Sequence, residues 1–144
     1  MADDPRRLIY ARAEDVPAEV WRWPNFTPFE FECKGSHRLV IVPAFMDRLQ
    51  ALRAAAAIPF PVSSGYRSPE HNARVSATGA TGPHTTGRAV DINIEGADAF
   101  KVVRLALAHG FTGIGIAQKG AGRFIHLDDL IDGPASPRPR IWSY

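Results

Sequence analysis

Cysteine is nearly absent: Cys33 is the only one in 144 residues. No internal disulfide can form, so stability does not depend on an oxidising compartment, and a cysteine-rich structural zinc site is excluded. Long apolar runs are also missing. No stretch approaches the roughly 20 residues of a membrane span, and Met1-Ala-Asp-Asp-Pro-Arg-Arg leads into nothing of the signal-peptide kind. The chain is therefore expected to be made in the cytoplasm without membrane insertion, and action elsewhere would require delivery. Excess charge is small: a formal +2 and a pI near 9.0 are too weak to argue for nucleic acid, though they would suit an anionic polymer. No internal repeat is visible. What is present is ordinary for a globular chain, 45% hydrophobic and 22% charged residues, and the length suits one domain with a real core.

The pattern divides the chain into a lead-in over 1–28, a domain over 29–132 and a tail over 133–144. The lead-in is charged, proline-punctuated and aromatic (Trp21, Trp23, Phe26), and reads as an irregular arm. A helix is expected over 44–57, with Pro43 at its first position and Phe45, Leu49, Leu52 and Ala56 on one face. Val62 to Tyr66 reads as a short strand running into a loop. Residues 69–76 suit a short helix capped by Ser68, with Pro69 at its first position. Thr78 to Gly87 reads as a loop. Arg88 to Ile94 alternates, with Val90, Ile92 and Ile94 on one face and Ala89, Asp91 and Asn93 on the other. A second helix is expected over 97–109, with Phe100, Val103 and Leu107 inward and Gly110 ending it. Ile114 and Ile116 mark another strand, and Phe124 to Asp128 a third. The proline-rich tail is expected to run extended over the surface. Strands and helices mix without βαβ regularity, which predicts an α+β domain: a small antiparallel sheet packed against helices, with a cleft on its other face.

That other face carries the chemistry. His84, then Asp91 seven positions on, then His126 on a later strand form a ligand set suited to Zn2+, and catalytic zinc sites take three protein ligands and leave one position for water. Paired strands would present Asp91 and His126 to one cleft, with His84 arriving on a loop and Gly87 and Ala89 leaving little bulk beside the metal. Asp128 and Asn93 are candidates to orient an imidazole. Any one histidine alone is more readily structural: His109 falls at a helix end, where the dipole favours it, and His71 on the short helix. His37 near Cys33 is a weak metal pair.

With these residues in place the chain resembles the zinc D-alanyl-D-alanine carboxypeptidases, whose relatives include phage L-alanyl-D-glutamate endopeptidases and vancomycin-resistance D,D-dipeptidases, and whose fold the Hedgehog signalling domain shares. The resemblance runs from about Phe26 to the end. It is carried by Ser64-Gly65-Tyr66-Arg67-Ser-Pro-Glu-His71-Asn72, His84-Thr-Thr-Gly87-Arg-Ala89-Val-Asp91 and His126-Leu-Asp128. Asn25-Phe-Thr-Pro-Phe-Glu30-Phe-Glu-Cys33 and Arg140-Ile-Trp142-Ser-Tyr144 resemble a smaller, often phage-associated branch. The resemblance implies zinc on His84, Asp91 and His126, with Arg67 holding a substrate carboxylate or the developing oxyanion. Ser64, Tyr66 and Asn72 would shape the substrate site. The implied substrate is a peptidoglycan stem peptide cut near D-Ala.

Two departures stand out. Gly82-Pro83-His84 lacks a serine common before the first histidine. Arg123 occupies the position, three before His126, where many relatives carry the Glu or Asp that serves as general base, and arginine cannot accept a proton. Three readings follow. The base comes from elsewhere, with Asp128 the leading candidate beside Asp129, Glu70 and Glu95. The domain instead binds wall peptide without cutting it, for example as a tail or baseplate component of a phage-like particle docked through its two arms. Or the metal is structural. Trp21, Trp23 and Trp142 would be docking anchors or caps on the domain's own core. A cytoplasmic dipeptidase clearing D-Ala-D-Ala is a further alternative.

Overall fold

The alternation read in Arg88–Ile94 and Phe124–Asp128 becomes the middle of a five-stranded sheet. The computed structural model describes residues 6–144; residues 1–5 of the expected arm lie outside the described residues. Along the chain come β1 (Leu8–Tyr10), α1 (Pro28–Phe31), β2 (Leu39–Ile41), α2 (Pro43–Ala56), β3 (Val62–Ser64) and α3 (Pro69–Val75). After two short 3-10 turns (Gly79–Thr81 and Pro83–Thr86) follow β4 (Ala89–Ile92), α4 (Gly96–Ala108), β5 (Gly113–Ala117), β6 (Phe124–Asp128) and β7 (Arg140–Ser143). The main sheet has the order β3-β4-β6-β5-β7, antiparallel except where β7 lies parallel on β5. A two-stranded sheet pairs β1 with β2. The α+β class is as expected. Among the described residues no helix is long and apolar enough to cross a membrane.

The register decides which side chains share a face. Val90 lies opposite Leu127 and Ile92 opposite Ile125, and all four are buried in the core with Ile114. Asp91 lies opposite His126 and Ala89 opposite Asp128, on the reverse face. One strand pair thus builds the core on one side and the site on the other.

α2 buries Phe45, Leu49, Leu52 and Ala56 as its spacing predicts, starting at Pro43. α3 is capped by Ser68, whose hydroxyl accepts from the His71 N–H. α4 corrects the expectation. Ala99, Val102 and Ala106 face the core, while Phe100 and Leu107 are 74% and 66% exposed. Two stripes of similar spacing run along this helix, and periodicity alone cannot choose between them. The stripe with two alanines lets the helix axis approach its neighbours more closely than one built on Phe and Leu.

The described part of the expected arm is instead part of the domain. Ala13, Trp23 and Phe26 are core residues. The Trp23 indole donates to Asp47 of α2, and Arg22 pairs with the same carboxylate. Trp21 stands edge-on to Trp23 and donates to the Phe26 carbonyl. Thr27 and Glu30 form a reciprocal capping box that starts α1. Buried aromatic area drives this docking. The tail also departs from expectation, because its last residues are the edge strand β7. Only the stretch before it is irregular.

Candidate metal centre

His84, Asp91 and His126 each offer one ligand atom, and these atoms lie within 4.8 Å of one another. They converge at a cleft of about 540 Å³ on the sheet face away from the core. All three residues are buried. Asp91 and His126 arrive on β4 and β6, directly opposite one another. His84 arrives from the second 3-10 turn, which Pro83 begins and Gly87 ends in a left-handed conformation at φ 79°. A Cβ at Gly87 would meet Val40 at 2.9 Å, so this glycine makes room for the β2 side of the core and not for the metal.

The hydrogen bonds fix which nitrogen faces inward. His84 Nδ1 lies 2.7 Å from the Gly65 carbonyl oxygen, which only accepts, so Nδ1 carries the proton and Nε2 is left 3.3 Å from Asp91 Oδ1. His126 Nε2 lies 2.8 Å from Asp128 Oδ2 and donates to it, leaving Nδ1 directed at Asp91 Oδ1 at 3.0 Å. As neutral imidazoles, both would aim lone pairs at an anionic oxygen. That arrangement is stable only with a cation or a proton between them. This donor set, two imidazoles and one carboxylate with backbone and carboxylate groups behind the imidazoles, fits zinc. The electrostatics agree. Burial alone would raise the Asp91 carboxyl, but with a proton standing in for the cation, hydrogen bonds from His126 and His84 outweigh it and hold the group below the usual carboxylate range. Burial would lower His126, but its bonds to Asp128 and Asp91 win and raise it.

Arg67 also reaches the cleft. Its Nε donates to Ser64 Oγ at 3.1 Å, Nη1 to Asn72 Oδ1 at 3.1 Å, and Nη2 lies 3.5 Å from Asp91 Oδ2. Asn72 is fully buried and donates onward to Thr78 and the Gly79 carbonyl, tying Arg67 to the loop. Ser64 and Asn72 therefore hold the arginine and do not themselves line the cleft. Tyr66, expected beside them, packs in the core, with its backbone N–H on the Phe31 carbonyl. It lies past the end of β3, in the irregular stretch before α3, where strand alternation no longer sets its direction.

The candidate bases do not reach the cleft. Asp128 is 0% exposed, and its carboxylate is taken up by His126 and Arg138. Burial pushes it up, but those partners hold it at about 2. It orients His126 and is no proton acceptor. Asp129 is buried on Arg48 and Arg88, Glu70 is exposed on α3, and Glu95 pairs with Arg123 at the surface. Asn93 is exposed too, not behind an imidazole. Arg123 donates to the Gly120 carbonyl and lies outside the cleft lining. The His37 imidazole pairs with Glu32 and not with the buried Cys33 thiol, and among the described residues His84, Asp91 and His126 form the one metal-capable group.

Sequence reading missed the far wall. Trp142 packs at a tilt against His126 with ring centroids 5.1 Å apart, Arg138 and Arg140 lie over that indole, and Tyr144 packs against Phe124. One signal was available. β5 reads Gly-Ile-Gly-Ile-Ala, with only glycine or alanine at its site-facing positions, and a bare strand face implies that another segment covers it.

Fold and site together define a class: an α+β domain with a His-Asp-His group able to hold a metal and a fixed arginine in a sheet-face cleft. The family model described as Peptidase M15 matches residues 24–128, and the chain belongs to that family. No curated protein matches the chain.

Proposed function

We propose that the chain is a zinc-dependent peptidase acting on peptidoglycan stem peptides near D-Ala, as a carboxypeptidase or endopeptidase. The observation that carries this reading is the convergence of His84 Nε2, Asp91 Oδ1 and His126 Nδ1 at the foot of the cleft beside Arg67, in a chain of a peptidase family. Zinc held there would polarise the scissile carbonyl and acidify a water. Arg67, anchored by Ser64 and Asn72, presents a fixed cation to a substrate carboxylate or to the oxygen that gains charge. Trp142 and Phe124 give the cleft apolar walls. Among cleft-lining side chains other than the three ligands and the arginines, Tyr144 is the one ionisable group. Burial raises its phenol, and it feels both Asp91 and Arg67. It is 63% exposed and packs on Phe124 and Trp142 at the edge of the cleft. Lacking a carboxylate base, turnover should fall short of a base-assisted enzyme by up to about 10²–10⁴-fold.

The test is His84→Ala, which should lose zinc and hydrolysis together; stoichiometric zinc in that variant sinks the assignment. One observation favours a second reading, a wall-binding module: no carboxylate other than Asp91 lines the cleft. Wild-type protein that binds wall peptide and leaves it intact, with no hydrolysis gained in Arg123→Glu, would support that module. Delivery by lysis or within a phage-like particle belongs to the same proposal. The tryptophans offered as docking anchors are engaged by the chain's own domain.

A further inference from the structure

We propose that Arg138 is a positioning residue of the metal centre, holding His126 in its ligating orientation through Asp128. The inference rests on the zinc reading above. It extends the site beyond residue 128, where the family match ends. The Arg138 side chain is 5% exposed and grips Asp128 with two prongs, Nε at 2.9 Å from Oδ1 and Nη2 at 2.8 Å from Oδ2. Nη1 bonds the Pro137 carbonyl, and the backbone N–H bonds Asp132, so the fork itself is fixed. Asp128 Oδ2 is shared between Arg138 and His126 Nε2. A two-pronged grip sets the plane of the carboxylate as well as its charge. That plane aims Oδ2 at Nε2, keeps the proton there, and turns Nδ1 toward Asp91.

The sheet is shaped for this arrangement. A Cβ on Gly113 would fall 2.3 Å from Asp128 Oδ1, and one on Gly115 would fall 2.8 Å from the Trp142 ring. Both glycines sit on the site face of β5, Gly115 opposite His126 and Gly113 opposite Asp128. Trp142 then packs against both Arg138 and His126, 5.3 Å from the guanidinium and 5.1 Å from the imidazole. A lysine at 138 would keep the charge but lose the fork.

The experiment uses the full chain as wild type, Arg138→Met, Arg138→Lys and Arg48→Met. Zinc affinity is read by competition with a chromophoric chelator, folding by circular dichroism, and the His126 Nε2 proton by NMR. Arg48→Met injures the neighbouring Asp129 pair, which does not touch His126. Arg138→Met should weaken zinc binding about 10–100-fold and Arg138→Lys by less, as outer partners of metal ligands do, while Arg48→Met keeps wild-type affinity. Folded Arg138 variants with wild-type affinity would overturn the proposal, as would an equal loss in Arg48→Met. Should Arg138→Met not fold, Arg138→Lys decides. Wild type that binds no zinc would defeat the metal reading itself. Positioning would then be judged on the Nε2 proton, protected from exchange in wild type. Its loss in Arg138→Lys supports the role, and its retention overturns it.

Discussion

Asp128 and Asp129 are neighbours in sequence, both fully buried and both clamped by arginine, yet they serve different halves of the molecule. Asp128 ends β6 on the site face and divides its oxygens between Arg138 and His126. Asp129 points elsewhere and ties Arg48 of α2 to Arg88, which precedes β4. It joins a helix to the sheet and touches no candidate ligand. Burial and ion pairing alone therefore do not mark a functional carboxylate. What distinguishes Asp128 is its second partner, an imidazole whose other nitrogen faces the cleft.

The largest effect expected from breaking this symmetry is on stability. Asp129→Ala leaves two arginines without their buried anion and should cost about 3–5 kcal/mol, seen as a lower denaturation midpoint, with unchanged zinc affinity in the fraction that stays folded. Asp128→Asn keeps an acceptor for His126 but loses the charge that Arg138 grips. It should weaken zinc about 10–100-fold, read by the same chelator competition. The two carboxylates would be equivalent after all if both variants moved both readouts alike.

Acid sharpens the contrast. His126 is raised above the ordinary histidine range by Asp128 and Asp91, so a proton competes with the metal up to that raised value. Zinc affinity should therefore fall about tenfold per pH unit once the pH drops below it, and affinities measured across several pH values would show the slope. No such slope below neutrality would mean that metal binding displaces no proton from His126. A smaller effect tests the Arg67 wall. Ser68→Ala removes the α3 cap and should cost about 1 kcal/mol in stability, with substrate KM rising through Asn72 and Arg67 while zinc affinity holds.

Much of the site was legible because the strand period is short and strict. Alternation placed Asp91 and His126 on one face, and the register puts them opposite each other. The loop position of His84 and the capping at Ser68 follow from local chemistry. The α4 phase was not legible, because two stripes of similar spacing differ only in how closely they let the helix pack. Nor was the far wall. Arg138 lies ten residues beyond Asp128 along a proline-rich stretch, and its contact with it depends on β7 adding to the sheet edge in parallel. No local pattern carries that pairing, although the glycines of β5 record where it lands. The base candidates failed for a related reason: sequence gives a carboxylate's strand face, not whether an arginine already holds it.

The most direct test of the peptidase reading is mass spectrometry of purified peptidoglycan fragments after incubation with the zinc-loaded chain, with and without chelator. The account predicts chelator-sensitive cleavage, with product masses that place the cut at a bond near D-Ala. Intact fragments beside a confirmed stoichiometric zinc would contradict it.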